Sequence, residues 1–448
     1  MGELMKYILD RSDEDIKSVG GLCLIGQSLK QFRFADHFDS LKTADILKTK
    51  IALLCQGRTD FNDVEIFRGD DFFAEALDVR KIPSESTLRQ HLNGCNFSIQ
   101  SAIKKSNIAS LKSVVFGREF VGEDSFIPVD IDVSPFDNSG SKKEGVSFTY
   151  KKVDGYAPIF AYVGTQGYLL NCDLRPGAQH SQKDAPDFLR QCIAFLSELG
   201  VLEHCLFRLD SAHDATENLD ILTAAGCKYI IKRNLRKEPR NQWIDRARAT
   251  GEIEEPRPDK CIWRGAVSHL QPPRKKDEKN VGDLPIFAVF EVTRRTLDKQ
   301  KVPLLIPDYI VNTWWTNLPH SAQDIIASYH AHGTSEQFHS EFKTDMNVER
   351  LPSGKFSTNA TVLLLSGIAF NILRLIGQTM LVHPEAMPAK LKIQRRRLSS
   401  VIKDLIFIGC KRVRHAGSIK LRFGKSCPWF NSFVAIYQDF LQVPKLTA

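Results

Sequence analysis

The spacing of apolar positions along the chain changes twice. Up to about residue 120 they recur at intervals of three and four, which predicts amphipathic helices over Leu41–Cys55 and Asp70–Leu77. Pro83 followed by Ser84-Glu85-Ser86-Thr87-Leu88 marks another helix start, with the Ser84 hydroxyl placed to cap it. That helix carries Arg89, Gln90 and His91, so the region fits either a helix-turn-helix that reads DNA or plain helical packing.

Near residue 125 the period drops to two. Strands are expected at Phe126–Ser134, Gly145–Lys151, Ile159–Val163 and Tyr168–Asp173, the last two joined by Gly164-Thr165-Gln166-Gly167. Helix Ala185–Leu199, strand Cys205–Leu209, helix Thr216–Ala225 and strand Lys228–Lys232 follow. Short turns suit antiparallel neighbours, whereas strands separated by helices suit parallel crossovers. The order predicts an α/β fold with a ribonuclease-H-like core.

From about 235 to 305 the pattern breaks into Arg, Lys, Pro and Glu, with a strand-like piece at Ile286–Val292. We read this as a β-rich insertion into the core. Helical spacing resumes at Ser321 and continues past Lys343, and another helix starts near Asn359. Five regions result: a helical N-terminal region (1–120), the first part of the α/β core (121–234), the insertion with a return strand (235–318), the second part of the core (319–385) and a basic C-terminal region (386–448). The apolar run Thr361–Ile376 contains Ser366, Asn371 and Arg374, which favours a buried helix over a membrane span.

Charge sharpens one of these regions. Lys and Arg exceed Asp and Glu by only 61 to 53 overall, but Lys390–Lys425 holds twelve basic residues against one acid, Asp404. Such a stretch, with Arg395, Arg396 and Arg397 at its centre, suits a phosphate backbone; the alternative is a solvated basic face. The ten cysteines form no C-x-x-C pair, which removes zinc-finger and redox motifs. With no signal-peptide pattern, buried thiols in a reducing cytoplasm are expected.

Three acids carry the candidate chemistry. Asp132 lies in the strand Val129-Asp130-Ile131-Asp132-Val133-Ser134, Asp210 follows the strand that ends Phe207-Arg208-Leu209, and Glu336 sits on the helix after the insertion. Carboxylates at such points can converge on divalent cations, whose hard oxygen preference suits magnesium or manganese and in-line phosphoryl transfer. Tyr329, His332, Glu336 and Lys343 are spaced by three, four and seven, which gathers them on one helical face. Asp130 shares a strand face with Asp132, so geometry admits either as the first-strand ligand.

The run Tyr329-x-x-His332-x-x-x-Glu336-x-x-x-x-x-x-Lys343 resembles the Y-(2)-R-(3)-E-(6)-K signature of bacterial insertion-sequence DDE transposases, and specifically DDE transposase group 1. The same family is resembled, in order, by Asp130-Ile131-Asp132-Val133-Ser134 with Gly140, Gly155-Tyr156-Ala157-Pro158, and Leu174-Arg175-Pro176-Gly177 with His180. Arg208-Leu209-Asp210-Ser211 and Thr316-Asn317-Leu318 continue it, flanked by Gly57-Arg58-Thr59-Asp60-Phe61-Asn62-Asp63 and Arg414-His415-Ala416-Gly417. His332 departs from the signature arginine, which puts one phosphate contact in question, since histidine is not always charged.

The resemblance implies a transposase in which Asp132, Asp210 and Glu336 hold two Mg2+ ions (Mn2+ substituting). It implies binding to terminal inverted repeats, nicking at the element end, a hairpin intermediate and strand transfer to target DNA, with a homodimer in the synaptic complex and no membrane partner. Asp132 is preferred over Asp130 because it precedes Ser134 in a D-x-T/S element, leaving Asp130 as a supporting partner. Tyr329, His332 and Lys343 are implied to contact phosphates. Trp263, Trp314 and Trp315 are candidates to stack on a flipped base, or alternatively fill a core. Arg175, His180 and His213 are expected only in supporting roles. Two competing readings are a ribonuclease-H-like nuclease without strand transfer and a transposase-derived DNA-binding protein without catalysis.

Overall fold

The computed structural model describes residues 9–235, 238–268, 270, 272, 286–389 and 392–442. Its centre is a mixed sheet of ten strands among these residues. Five form one half: β1 (Asp124–Val133), β2 (Ile159–Val163), β3 (Tyr168–Asp173), β4 (Cys205–Leu209) and β5 (Lys228–Lys232). Their spatial order is β3-β2-β1-β4-β5, with β1, β2 and β3 antiparallel in sequence and β4 and β5 parallel to β1. The short strand Glu119–Val121 pairs with the start of β1. Ile127, Val129, Ile131 and Val133 are buried on one face of β1 against the strand and helix residues around them, which is the period-two pattern of a strand packed in a core.

The other half belongs to the insertion. Strands β6 (Glu252–Arg257), β7 (Lys260–Ser268), β8 (Phe287–Leu297) and β9 (Pro303–Thr316) form an antiparallel meander that joins the core where β9 pairs with β5. The sequence pattern set no limits for the return strand β9. Pro303 and Pro307 disguise its first half, where Leu305 and Ile306 are exposed, while Trp314 and Trp315 near its end are buried. Helix Arg240–Thr250 also escaped the pattern, because Trp243 and Ala247, one turn apart, are its only buried residues.

Gly145–Lys151 does not become a core strand. Only Ser147–Phe148 pairs, in a small sheet with Phe136–Asp137 and Asp154–Tyr156. The alternation seen there reflects the exposed Phe148 and Tyr150 on either side of buried Thr149.

Helix Phe356–Val382 passes beneath β3. It is long and apolar enough to cross a membrane, yet 89% of its most apolar window is buried in the interior. Asn371 on this helix accepts from the Leu169 N–H and donates to the Leu169 carbonyl, each at 2.8 Å. Those two bonds occupy backbone groups of an edge strand that would otherwise be open to another chain. The expected N-terminal helices occur at Leu41–Leu54 and Asp71–Leu77, and Ser84 caps Glu85–Asn93 by accepting from Thr87 N at 3.3 Å. Leu88 and Leu92 of the capped helix are buried; Arg89 and Gln90 are exposed. Eight of the ten cysteines are buried, Cys23 and Cys427 are intermediate, and all are free thiols.

Candidate active site

Asp132 and Asp210 occupy adjacent parallel strand ends. The β1–β4 register pairs Asp130 with Arg208 and Ile131 with Leu209. Asp132 and Asp210 are the next residues along each chain, so they sit one strand spacing apart, about 4.8 Å. Ligands of open α/β sheets gather outside such carboxyl-terminal strand edges. Two phenols register the proximity: burial raises the pKa values of Tyr150 and Tyr329, and the negative charges of both Asp132 and Asp210 raise them further.

The helix of Glu336 lies along β1. Its run is not uniform: α-helix Ala322–Ala331 tightens into a 3-10 turn at His332–Thr334, resumes at Ser335–Ser340 and widens into a π turn at Glu341–Asp345. Three residues of this run dock on β1 and its exit. His332 Nδ1 is 2.9 Å from Asp130 Oδ1, His339 Nε2 is 3.4 Å from Asp132 Oδ2, and Lys343 Nζ donates to the Pro135 carbonyl at 2.6 Å. Glu336 lies between the two histidines, four residues after one and three before the other. It is exposed and makes no ion pair among the described residues. π turns are uncommon and recur at functional sites; this one carries Lys343.

The two acids of β1 have different surroundings. Asp130 is 3% exposed and receives Arg208 Nε at 2.6 Å and Nη2 at 2.7 Å in addition to His332. Burial would raise its pKa, but Arg208 and His332 outweigh burial and hold it at about 2. All its acceptor capacity is directed inward. The Asp132 side chain is 26% exposed and that of Asp210 36%, with no Lys or Arg on either. Burial again acts upward on Asp132, and its His339 contact brings the pKa below the usual value. His213, buried on the loop after β4, holds Asp210 Oδ1 at 2.8 Å through Nδ1 and leaves the second carboxylate oxygen free of it.

These residues fit a divalent cation. Two side-by-side, partly exposed carboxylates with no Lys or Arg partner among the described residues form a hard-oxygen donor set. Among the described residues no group of three or more His, Cys, Asp or Glu side chains is placed to hold a metal ion, so Glu336 does not join the aspartate pair in this structure. An open site of that kind suits an ion that takes one or two carboxylates and completes its shell with water and substrate phosphate.

Other candidates from the sequence are placed differently. His332 is 8% exposed and committed to Asp130, so it is not available as a direct phosphate contact. Tyr329 packs between Trp314 and His332, with ring centroids 5.6 and 5.7 Å away. Lys343 is half-buried over Phe136; burial lowers its pKa to about 8. Trp263, Trp314 and Trp315 are 8%, 1% and 1% exposed. They fill the core and offer no open face to a base. Trp315 donates to Asp214 at 3.0 Å and lies under Arg233. Arg175 is likewise buried, donating to the carbonyls of Ser181 and His180.

The arginine triplet is engaged in contacts within the chain. Arg395 binds Glu341 at 2.6 Å and Gln337 at 2.7 Å. Arg396 is 8% exposed and pairs with Asp404, and Arg397 grips Asp345 with two nitrogens. Arg374 joins from the central helix, pairing with Glu341 and donating to the Arg396 carbonyl at 3.0 Å. Further along, Lys411, Arg412 and Arg414 pair with Glu14, Asp15 and Glu75. Half of the run is thus paired, and these pairs fasten the C-terminal region to the Glu336 helix and the N-terminal region, while Lys392, Lys403, Lys420, Arg422 and Lys425 have no ion pair among the described residues. Lys390, its first residue, lies outside the described residues. We expect Arg396→Ala to cost about 3 kcal/mol of stability in a denaturant titration, because Asp404 is left without its partner. It should leave the salt dependence of DNA binding unchanged, whereas loss of a phosphate contact would lower the slope by about one.

Sequence reading passed over Arg208, Glu119 and His339. Arg208 binds Asp130, Glu119 at 2.8 Å and the Ser328 carbonyl at 2.8 Å, tying β1, β4, the edge strand and the Glu336 helix together. A charged residue inside the apolar strand Cys205–Leu209 was the available signal, since a buried charge requires partners. His339, three residues after Glu336, was available from the same helical spacing.

The model of a family described as transposase DDE domain group 1 matches residues 14–253 and 292–445. The unmatched stretch falls within the β-rich insertion. No curated protein matches the chain. Among solved structures, it is similar to a piggyBac transposase synaptic complex with hairpin DNA determined by cryo-electron microscopy. Identity is 10%, the TM-score is 0.39, and the likeness spans 97% of this chain and 86% of that one. A score of that size carries no argument about fold or mechanism.

Proposed function

We propose, for a chain that belongs to the group 1 family of DDE transposases, that Asp132, Asp210 and Glu336 cut DNA at the ends of a mobile element and join the freed end to a target. The observation that carries this reading is the pair of uncompensated carboxylates at the ends of β1 and β4, beside a helix that offers an exposed, unpaired glutamate. The strand order β3-β2-β1-β4-β5 supports a ribonuclease-H-like core. DDE transposase domains use divalent metal ions; here the donor set favours Mg2+, with Mn2+ as substitute and two ions in the working site.

Each residue has a separable task. Asp132 and Asp210 would hold the cation against the scissile phosphate, and Glu336 would complete its shell from the helix side. The bound metal would supply Lewis-acid polarisation of the phosphate and a more acidic water or 3′-hydroxyl. His213 occupies one oxygen of Asp210, and Asp132 is held by the Val133 N–H on Oδ1 and by His339 near Oδ2, which fixes both carboxylate planes. Lys343, half-buried on the Pro135 carbonyl, would face a phosphate beside the cut. Arg208, Asp130 and His332 hold the strands and helix in register without touching substrate. On this basis His332 in place of the signature arginine is a packing and hydrogen-bonding partner, and the copy remains catalytic. Recognition of terminal inverted repeats, a hairpin intermediate and a dimeric synaptic complex belong to the same proposal, as does a bacterial cytoplasmic setting.

Glu336→Gln tests the third acid. It should abolish nicking in Mg2+ while the affinity for element ends, measured by gel shift, stays close to wild type, because the side chain is exposed and supports no packing. Nicking at the wild-type rate by this variant would remove Glu336 from the site.

A further inference from the structure

The hairpin Ser147–Tyr156 bears two aromatic rings that stand largely out of the core. Phe148 and Tyr150 are 62% and 60% exposed, although Thr149 between them is 2% exposed. We propose that these rings form a stacking platform for unpaired bases of the DNA strand that runs past Asp132 and Asp210, an inference that rests on the catalytic reading above.

The rings are held in place. Tyr150 donates its hydroxyl to the Val133 carbonyl at 2.8 Å, one residue beyond Asp132. The backbone beneath it is a tight turn: Thr149 N and Oγ1 each donate to the Val153 carbonyl at 2.9 Å, and Lys152 N returns to the Thr149 carbonyl at 2.9 Å. Phe148 precedes this turn in a strand paired with Asp154. Little conformational freedom remains to be lost when a ligand settles on the rings. An exposed aromatic on a rigid turn gives up burial that it could have contributed to folding, and a partner that covers it recovers that area.

Charge identifies the partner. Residues 142–154 carry Lys142, Lys143, Lys151 and Lys152 against Glu144 and Asp154. Lys142, Lys151 and Lys152 are exposed and make no ion pair among the described residues. Lys151 also lies near enough to Lys343 to depress its pKa, after the larger effect of burial. Aromatic rings interleaved with unpaired lysines beside two catalytic carboxylates match a polyanion with open π faces. Duplex DNA hides its base faces in the stack, so the occupant is a locally unpaired strand. Every base has such a face, and the platform is therefore sequence-tolerant.

The test uses the full chain and two oligonucleotide probes of arbitrary sequence in Ca2+ buffer: a blunt duplex, and the same duplex opened into a short fork with 2-aminopurine at its first unpaired position. Wild type should bind the fork more tightly than the blunt duplex and quench the 2-aminopurine. Phe148→Ala and Tyr150→Ala should each weaken fork binding roughly 5- to 100-fold, restore the fluorescence, and leave blunt-duplex binding and the thermal midpoint unchanged. Tyr150→Phe, which keeps the ring and loses only the hydroxyl anchor, should stay close to wild type. Equal losses on both probes, unchanged fork binding in the alanine variants, or a wild type without fork preference would each overturn the platform. Asp132→Asn separates the two ideas, since it should retain the fork preference without nicking. A wild type that nicks without preferring the fork loses the platform alone, and one that prefers the fork without ever nicking loses the catalytic reading alone.

Discussion

Asp132→Asn and Asp210→Asn should each slow metal-dependent DNA nicking by roughly a thousandfold or more, the scale expected when several kcal/mol of charge stabilisation leave the transition state. Neither side chain supports the fold by an ion pair with Lys or Arg, so thermal midpoints should stay near wild type. His213 should keep its place, because an asparagine carbonyl still accepts its hydrogen bond, and His339 is held independently by Tyr162. Strand transfer should fail together with nicking, since both steps use the same two carboxylates. Loss of one step with retention of the other would split the site into two centres, which the adjacent strand ends do not offer. The measurement is a time course of nicked and joined products for each variant in Mg2+ and again in Mn2+.

Arg208→Met should have the largest effect on stability. Arg208 is 2% exposed and carries both Asp130 and Glu119. Removing it leaves buried Asp130 with His332 alone and half-buried Glu119 without a cation, and breaking a buried pair from one side costs about 3–5 kcal/mol. A urea titration should show that loss in the midpoint. Asp130→Asn should be milder, because the amide retains a carbonyl for one Arg208 bond and Glu119 still balances the charge. Its activity, measured at a temperature where the variant is folded, should remain. Combining Arg208→Met with Asp130→Asn should destabilise less than the two single costs added together, since residues in one network are not independent. If Arg208→Met unfolds at the wild-type midpoint, the network is not what joins β1 to β4 and the Glu336 helix.

The choice between Asp130 and Asp132 shows what patterning can and cannot decide. Period-two spacing puts both on one face of β1 and stops there. The discriminating fact is an arginine 78 positions away, which saturates one acid and leaves the other open. Such a contact has no local signature. The same holds for the basic C-terminal run: read along the chain it is a charge excess, but Glu341, Asp345, Glu14, Asp15 and Glu75 come from elements 50 to almost 400 residues distant and cancel part of it.

Elements whose pattern is driven by burial were the most legible. Ile159–Val163, Tyr168–Asp173, Cys205–Leu209 and Lys228–Lys232 occur at the limits their composition suggested, because each is a short apolar strand bounded by turn residues or helices. The Gly145–Lys151 segment misled because alternation on an exposed turn mimics alternation on a half-buried strand. β9 was obscured by prolines in a part of the strand that is exposed and requires little burial. The tryptophans illustrate the opposite error: an aromatic pair in an insertion suggested a ligand surface, whereas Trp314 and Trp315 are among the largest side chains wholly enclosed by the fold. Regular helical spacing put Tyr329, His332, Glu336 and Lys343 on one face, whereas the structure interrupts that helix and leaves Glu336 exposed and His332 buried. The 3-10 and π turns that fit it to β1 were not legible, since they arise from docking His332 on Asp130 and Lys343 on Pro135.

The most direct test of the account is to incubate the purified chain with DNA carrying its element ends and Mg2+ and to resolve the products on a denaturing gel. The account predicts strand-specific nicks at the element boundary followed by joined products, both abolished by EDTA and both absent in Asp132→Asn and Asp210→Asn. Metal-independent cleavage, or wild-type products from either aspartate variant, would contradict it.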